Sequence, residues 1–111
     1  MSSPITTHVL DTAKGRPAAG IHVVLERQKD SDFVRLGEGR TDADGRLRTL
    51  LPPGSLELGV YRLTFALDGY FGAAEHFFPE ASLLFRVTDV AAHHHVPLLL
   101  SPFAYSTYRG S

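Results

Sequence analysis

Imidazole and guanidinium side chains are the groups in this chain that suit chemistry near neutral pH. His8 lies in an alternating stretch near the amino terminus, His95 closes a run of three histidines, and Arg46 follows a turn. A histidine exchanges protons near neutral pH, and an arginine binds oxyanions. Each residue also has an ordinary structural explanation, as a surface histidine or a solvated arginine. Their spacing alone leaves open whether the three side chains meet.

The chain has two stretches that resemble metal sites, and we predict that neither binds metal. Consecutive strand residues alternate faces, so at most two of the three histidines, His93 and His95, share a face, and two ligands are too few for a zinc site. The string DADG at 42–45 resembles part of a calcium loop. Its register places Arg40 at the first ligand position and Leu51 at the last, where a glutamate is required. We therefore predict a turn there, with no metal and no cofactor.

Composition excludes several classes of function. The chain has 111 residues, a net charge of −1 and no cysteine. It carries no general positive field for nucleic acid and no disulfide or thiolate chemistry. No apolar run approaches the roughly 20 residues of a membrane span, and the first residues lack a secretory leader pattern. We expect one domain over 1–111, with no nucleic-acid or membrane partner, in the reducing cytoplasm.

The elements that must position these side chains are short strands. Alternation of period two, with turn signals every ten residues or so, predicts an all-β fold, an antiparallel β-sandwich. One weak helix is predicted at 68–75, with Asp68 as its cap. The predicted strands are 5–10, 21–28, 33–38, 47–50, 60–68, 83–88, 95–101 and 105–108.

Several motifs in a fixed order extend this interpretation. They are ITTHVLDTAKGRPAAG at 5–20, TDADGR at 41–46, GVYRLTF at 59–65, FFPE at 77–80 and HVPLLLSPFAYSTYRGS at 95–111. The ordered set resembles the transthyretin-like family and, within it, the 5-hydroxyisourate hydrolases of purine catabolism. The final YRGS resembles the hydrolase signature. Two departures are His94, where an aromatic residue is common, and the pair Phe103-Ala104.

The resemblance implies a transthyretin-like sandwich of two four-stranded sheets with one short helix. It also implies a homotetramer with a central channel and active sites between dimers. The implied activity is hydrolysis of 5-hydroxyisourate to 2-oxo-4-hydroxy-4-carboxy-5-ureidoimidazoline. By position, the implied catalytic residues, which would also bind substrate, are His8, Arg46 and His95. The implied substrate-binding residues that close the site are Tyr108, Arg109, Gly110 and Ser111.

The implied chemistry suits these residue types. Water needs a base, for which a histidine serves, and the carbonyl oxygen gains negative charge that an arginine stabilises. The guanidinium also favours a neutral imidazole beside it. Whether His8 or His95 is the base stays open at this point. A transthyretin-like carrier of a small ligand, without catalysis, is the alternative function.

The last residues of the chain are strand-like almost to the end, whereas chain ends are usually loose. We therefore expect this segment to be held against the site, with Ser111 near Arg109 or Arg46. The simpler interpretation is that it only completes the last strand.

Overall fold

The computed structural model describes residues 3–111 as two β-sheets and one short helix, which confirms the predicted all-β sandwich with one short helix. The elements are β1 (Ile5–Asp11), β2 (Arg16–Pro17), β3 (His22–Lys29), β4 (Asp32–Arg40), β5 (Arg46–Leu47), β6 (Gly59–Ala66), α1 (Leu67–Phe71), β7 (Glu80–Val87), β8 (His94–Ser101) and β9 (Ala104–Thr107). No helix within residues 3–111 has the length and apolarity needed to cross a membrane.

The two sheets differ from the expected strand count in one detail. The second sheet has four strands in the order β4-β3-β6-β7. The first has the order β2-β1-β8-β9 and gains a fifth strand, because β5 also pairs with β1. The strands β2 and β5 have two residues each and share the edge of β1 that faces away from β8.

One strand pair corrects the prediction of a purely antiparallel sandwich. β1 and β8 run parallel over seven residue pairs, from Ile5 opposite His94 to Asp11 opposite Leu100. All other pairings are antiparallel among the described strands. Parallel strands need a long connection. Here that connection is most of the chain, so residues far apart in sequence become neighbours.

Alternation along the strands decides what lies in the core. Ile5, Thr7 and Val9 are fully buried between the sheets, whereas His8 is only half-buried. Tyr61, Phe65 and their neighbours on β6 alternate in the same way. The strands β1, β3, β5, β6, β7 and β8 therefore give one face to a single apolar cluster and leave the other face for different uses, whereas β2 and β4 contribute no residue to it.

The predicted bounds of the helix and of two strands were wrong, and the strand expected at 83–88 is Glu80–Val87. The helix covers Leu67–Phe71 and ends at Gly72, which has φ 59°. Its N-cap is Ala66 without a side-chain cap bond, and Asp68 instead accepts a hydrogen bond from His76 Nε2 at 2.6 Å. The strand expected at 47–50 is only Arg46–Leu47, because Leu50 is buried in the core outside any ladder.

Candidate active site

The register around β1 brings the predicted catalytic residues onto one face of the first sheet. His8 lies directly opposite Arg46 on β5, and Thr6 lies directly opposite His95 on β8. Opposite residues of paired strands point to the same face, as do residues two apart on one strand. Since Thr7 on the other face is buried in the core, these four side chains lie on the outer face of the sandwich.

The turn before β5 fixes the position of the Arg46 backbone. The Asp42 carboxylate accepts hydrogen bonds from the backbone N–H groups of Asp44 at 2.9 Å and Arg46 at 3.0 Å. Chiefly the bond from Arg46 lowers the pKa of Asp42, so the carboxylate stays charged in this role. Gly45 has φ 76°, and a Cβ there would lie 2.4 Å from the Val9 carbonyl oxygen. The turn predicted at 42–45 is confirmed, and it serves to place Arg46.

A polar cleft of about 200 Å³ opens on this outer face. It is lined by Thr6, Thr7, Arg46, Arg48, His93, His95 and Ser111. His8 stands beside it, and its Nε2 lies 3.0 Å from the Asp44 carbonyl oxygen. Because a carbonyl only accepts hydrogen bonds, Nε2 of His8 carries a proton, and Nδ1 is its free nitrogen.

The electrostatics of the cleft favour a neutral His95. The ring is half-buried. Burial lowers its pKa below the ordinary 6.5, and the charges of Arg46 and then His8 lower it further. Its Nδ1 lies 2.8 Å from Thr6 Oγ1, whereas its Nε2 has no hydrogen-bond partner among residues 3–111. At neutral pH His95 therefore offers an unprotonated nitrogen.

Sequence reasoning missed two side chains of the cleft and misjudged a third. Thr6 lies under the two imidazoles, with its hydroxyl 2.8 Å from His93 Nε2 and 2.8 Å from His95 Nδ1. Arg48 adds a second guanidinium. His93 was considered only as a metal ligand. The period of β1 places Thr6 on the face of His8, but only the register of β8 brings it to His95.

The carboxyl-terminal residues divide between two concavities. The Gly110 N–H donates to the His95 carbonyl at 2.8 Å, so the segment is attached to β8, and Ser111 lines the polar cleft. Tyr108 and Arg109, predicted to close the same site, line a largely apolar pocket of about 240 Å³, and His95 lines this pocket as well as the polar cleft. Within residues 3–111, no ion pair shorter than 4.0 Å joins Ser111 to an arginine.

The apolar pocket also contains the histidine that departs from the motif. His94 is 4% exposed, and burial, followed by the charge of Arg109, lowers its pKa. Its Nδ1 has no hydrogen-bond partner in the part of the chain that the structure describes. His94 therefore packs as a neutral ring, in the manner of the aromatic residue that is common at this position.

No group of three or more His, Cys, Asp or Glu side chains within the described part of the chain is arranged to hold a metal ion. His93 and His95 do approach each other, with ring centroids 6.4 Å apart, but they share the Thr6 hydroxyl. The donors of the cleft are imidazole, guanidinium and hydroxyl groups. Such a set suits binding of oxygen-rich anions or carbonyls and proton transfer.

A transthyretin-type sandwich with two imidazoles and a guanidinium on the outer face of one sheet defines the class of this protein. The sequence profile of the HIUase/Transthyretin family matches residues 5–110, and the chain belongs to that family. It is 44% identical to 5-hydroxyisourate hydrolase of Salmonella typhi, over 99% of this chain and 82% of that protein.

Two solved structures show the same fold. 5-Hydroxyisourate hydrolase of Klebsiella pneumoniae is 36% identical, with a TM-score of 0.84 and all of both chains covered. Transthyretin of Sparus aurata is 28% identical, with a TM-score of 0.89 and 96% of each chain covered. The fold is thus similar to a hydrolase and to a transthyretin, and the side chains of the cleft must distinguish the two functions.

Gly110→Ala tests the contact between the terminal segment and His95. A Cβ at position 110 would lie 2.6 Å from His95 Cδ2, so the ring or the segment must move. We expect kcat/KM for the activity proposed below to fall roughly tenfold to a hundredfold, as for a misplaced catalytic group, with little change in Tm. Gly69→Ala, with nothing within 4 Å of its Cβ, is the matched control. Equal activity of the two variants would contradict this contact's importance.

Arg46→Gln tests the electrostatic origin of the neutral His95. Removing this guanidinium should raise the pKa of His95 toward 6.5, and the acidic limb of the kcat/KM profile should move to higher pH. NMR titration of the His95 ring measures the shift directly. Arg48→Gln is the control, because Arg48 affects His95 least among the charges that act on it. An unchanged His95 titration in Arg46→Gln would refute the assignment.

Proposed function

We propose that this protein hydrolyses 5-hydroxyisourate. The observation that supports the proposal best is the convergence of His8, Arg46 and His95 on one outer face. This convergence occurs in a chain whose relatives include 5-hydroxyisourate hydrolases. Residues 1–111 act in this proposal as a single catalytic domain. We also propose a cytoplasmic location, which suits the absence of cysteine.

His95 is the general base in the proposed mechanism. Its depressed pKa keeps the ring neutral, and its unpartnered Nε2 accepts a proton from the attacking water. The water oxygen bonds to the ring carbonyl carbon, the acyl C–N bond breaks, and the leaving nitrogen receives a proton. The mechanism uses only water and protein groups.

Arg46 stabilises the oxyanion. Its guanidinium is half-buried in the cleft and is held at the start of β5 by the Asp42 turn. A fixed cation next to a developing negative charge is typically the largest single contribution to such a reaction. Arg46 would bind the oxygen-rich substrate ring as well.

In the proposed mechanism His8 contacts the substrate through Nδ1. Because its Nε2–H is engaged by Asp44, neutral His8 can only accept a hydrogen bond at Nδ1, and protonated His8 can donate one there. We assign Gly110 and Ser111 to closing the cleft, as they contact His95 or line it. Tyr108 and Arg109 line the neighbouring apolar pocket, which shares His95 with the cleft, and we assign them to closing the site from there.

We propose that the chain assembles as a homotetramer. β7 and β9 each form one free edge of a sheet, and Leu84 on β7 and Tyr108 just after β9 are 64% and 57% exposed. Free strand edges with apolar side chains favour pairing with another copy. Leu10 and Leu99, paired on the outer face near the cleft, offer a second contact surface.

Alanine substitution tests the proposed activity. With 5-hydroxyisourate generated in situ by urate oxidase, its ultraviolet decay should accelerate in the presence of the wild-type protein. Each of His8→Ala, Arg46→Ala and His95→Ala should lower kcat/KM by roughly a hundredfold, as expected for loss of a proton-transfer group or an oxyanion donor. Decay at the uncatalysed rate with the wild-type protein would refute the function and favour the small-ligand carrier instead.

Light scattering tests the assembly. We expect four times the chain mass of 12.2 kDa at micromolar concentration, with dihedral symmetry as the common arrangement for such an assembly. Leu84→Asp on the β7 edge should lower the mass, because a charge opposes apolar burial there. Phe77→Asp, at a residue that is 70% exposed and outside the strands, should not. A monomer mass for the wild-type protein would contradict the tetramer.

A further inference from the structure

Two hydrogen bonds connect the side chains of His93, Thr6 and His95 in a row. The Thr6 hydroxyl lies 2.8 Å from both His93 Nε2 and His95 Nδ1. Thr6 is 4% exposed, and its hydroxyl has no other hydrogen-bond partner among residues 3–111. At neutral pH, a buried hydroxyl flanked by two imidazoles uses its full capacity only when one ring donates to it and the other accepts from it.

The direction of these two hydrogen bonds follows from the protonation state that the proposed reaction requires at His95 Nε2. If His95 donates from Nδ1, its lone pair is at Nε2, the nitrogen without a protein partner. Thr6 then donates to Nε2 of His93, the exposed residue of the three. The opposite direction would place a proton on His95 Nε2 and leave the site without a base there.

We propose that Thr6 and His93 are positioning residues that hold His95 as the Nδ1–H tautomer and form a proton relay from His95 to the protein surface. The inference rests on the hydrolysis proposed above, and it adds two residues to the three implied by the motifs. Thr6 and His93 act through His95 and do not contact the reacting atoms.

The relay removes the positive charge from His95 in the interval between its two proton transfers, the first from water and the second to the leaving nitrogen. When His95 Nε2 takes a proton from water, its Nδ1 proton passes to Thr6 and the Thr6 proton passes to His93. The positive charge then resides on His93, which is exposed, and leaves the half-buried ring of His95. As the C–N bond breaks, the leaving nitrogen takes the Nε2 proton of His95, and both relay protons return. The proton taken from water thus ends on the product.

The charges around His95 favour this transfer. Arg46, His8 and Arg48 all disfavour an imidazolium at His95, and burial disfavours it most. A charged His93 also disfavours an imidazolium at His95, so water must screen the cation created at His93. Its exposure provides that screening.

Substitutions at Thr6 test the relay. Thr6→Val removes the hydroxyl at nearly equal volume, and we expect kcat to fall roughly tenfold to a hundredfold with KM little changed. Thr6→Ser should restore most of kcat. His93→Gln should lower kcat in the same way as Thr6→Val, whereas His22→Gln, on β3 and paired with Glu38, should not. Wild-type kcat in both Thr6→Val and His93→Gln would overturn the proposal.

A spectroscopic readout separates the relay from the activity. ¹⁵N NMR of the imidazoles in the full, substrate-free protein should show His95 as the Nδ1–H tautomer, and Thr6→Val should abolish that preference. An Nε2–H tautomer in the wild-type protein would overturn the proposal whatever the kinetics. A wild-type protein without hydrolase activity would refute the proposed function, and the tautomer would still report on the hydrogen-bond chain.

Discussion

The parallel register between β1 and β8 is the constraint on which the site depends. It sets Thr6 opposite His95, 89 residues away in sequence, while the antiparallel partner on the other edge of β1 sets Arg46 opposite His8. Side chains on a strand alternate, so a shift of one residue in either pairing would move a site residue into the core. Ile5 and Val9 oppose such a shift, because both are fully buried and a slip of one residue would place Thr6 or His8 in one of their core positions. The core thereby fixes the geometry of the outer face.

Much of this arrangement was readable from the sequence, and the remainder was not for identifiable reasons. Alternation predicted the buried faces of β1 and β6, because period two is a local property of a strand. It could not show that β1 and β8 run parallel, since pairing over such a separation leaves no local pattern. The same limit hid Thr6, an ordinary strand threonine until its partner is known. The helix prediction at 68–75 was wrong because Gly72 ends the helix after little more than one turn.

Two histidines at or beside the cleft, His95 and His94, resist protonation in the folded state, and this lowers the stability of the fold in acid. Burial and nearby cations lower the pKa of His95, and burial lowers that of His94. Above the unfolded value of about 6.5 these rings are neutral in both states and cost nothing. As pH falls below that value, the unfolded chain binds protons that the folded chain refuses, so folding stability declines through the window between the two pKa values. A neutral base at the site is therefore obtained at the expense of stability in acid.

The outer face can host such chemistry because the core does not use it. On β1, β5 and β8 the core residues point inward, and the cleft residues occupy the alternate positions. Their identities can change without altering the packing, which explains how one fold serves proteins of different function. The cleft side chains also need neighbouring residues that hold them in position. Asp42 positions Arg46, Thr6 holds His95, and Gly110 packs against the His95 ring. In the proposed mechanism the function thus follows from these supporting contacts around His8, Arg46 and His95, and the sandwich supplies their spacing.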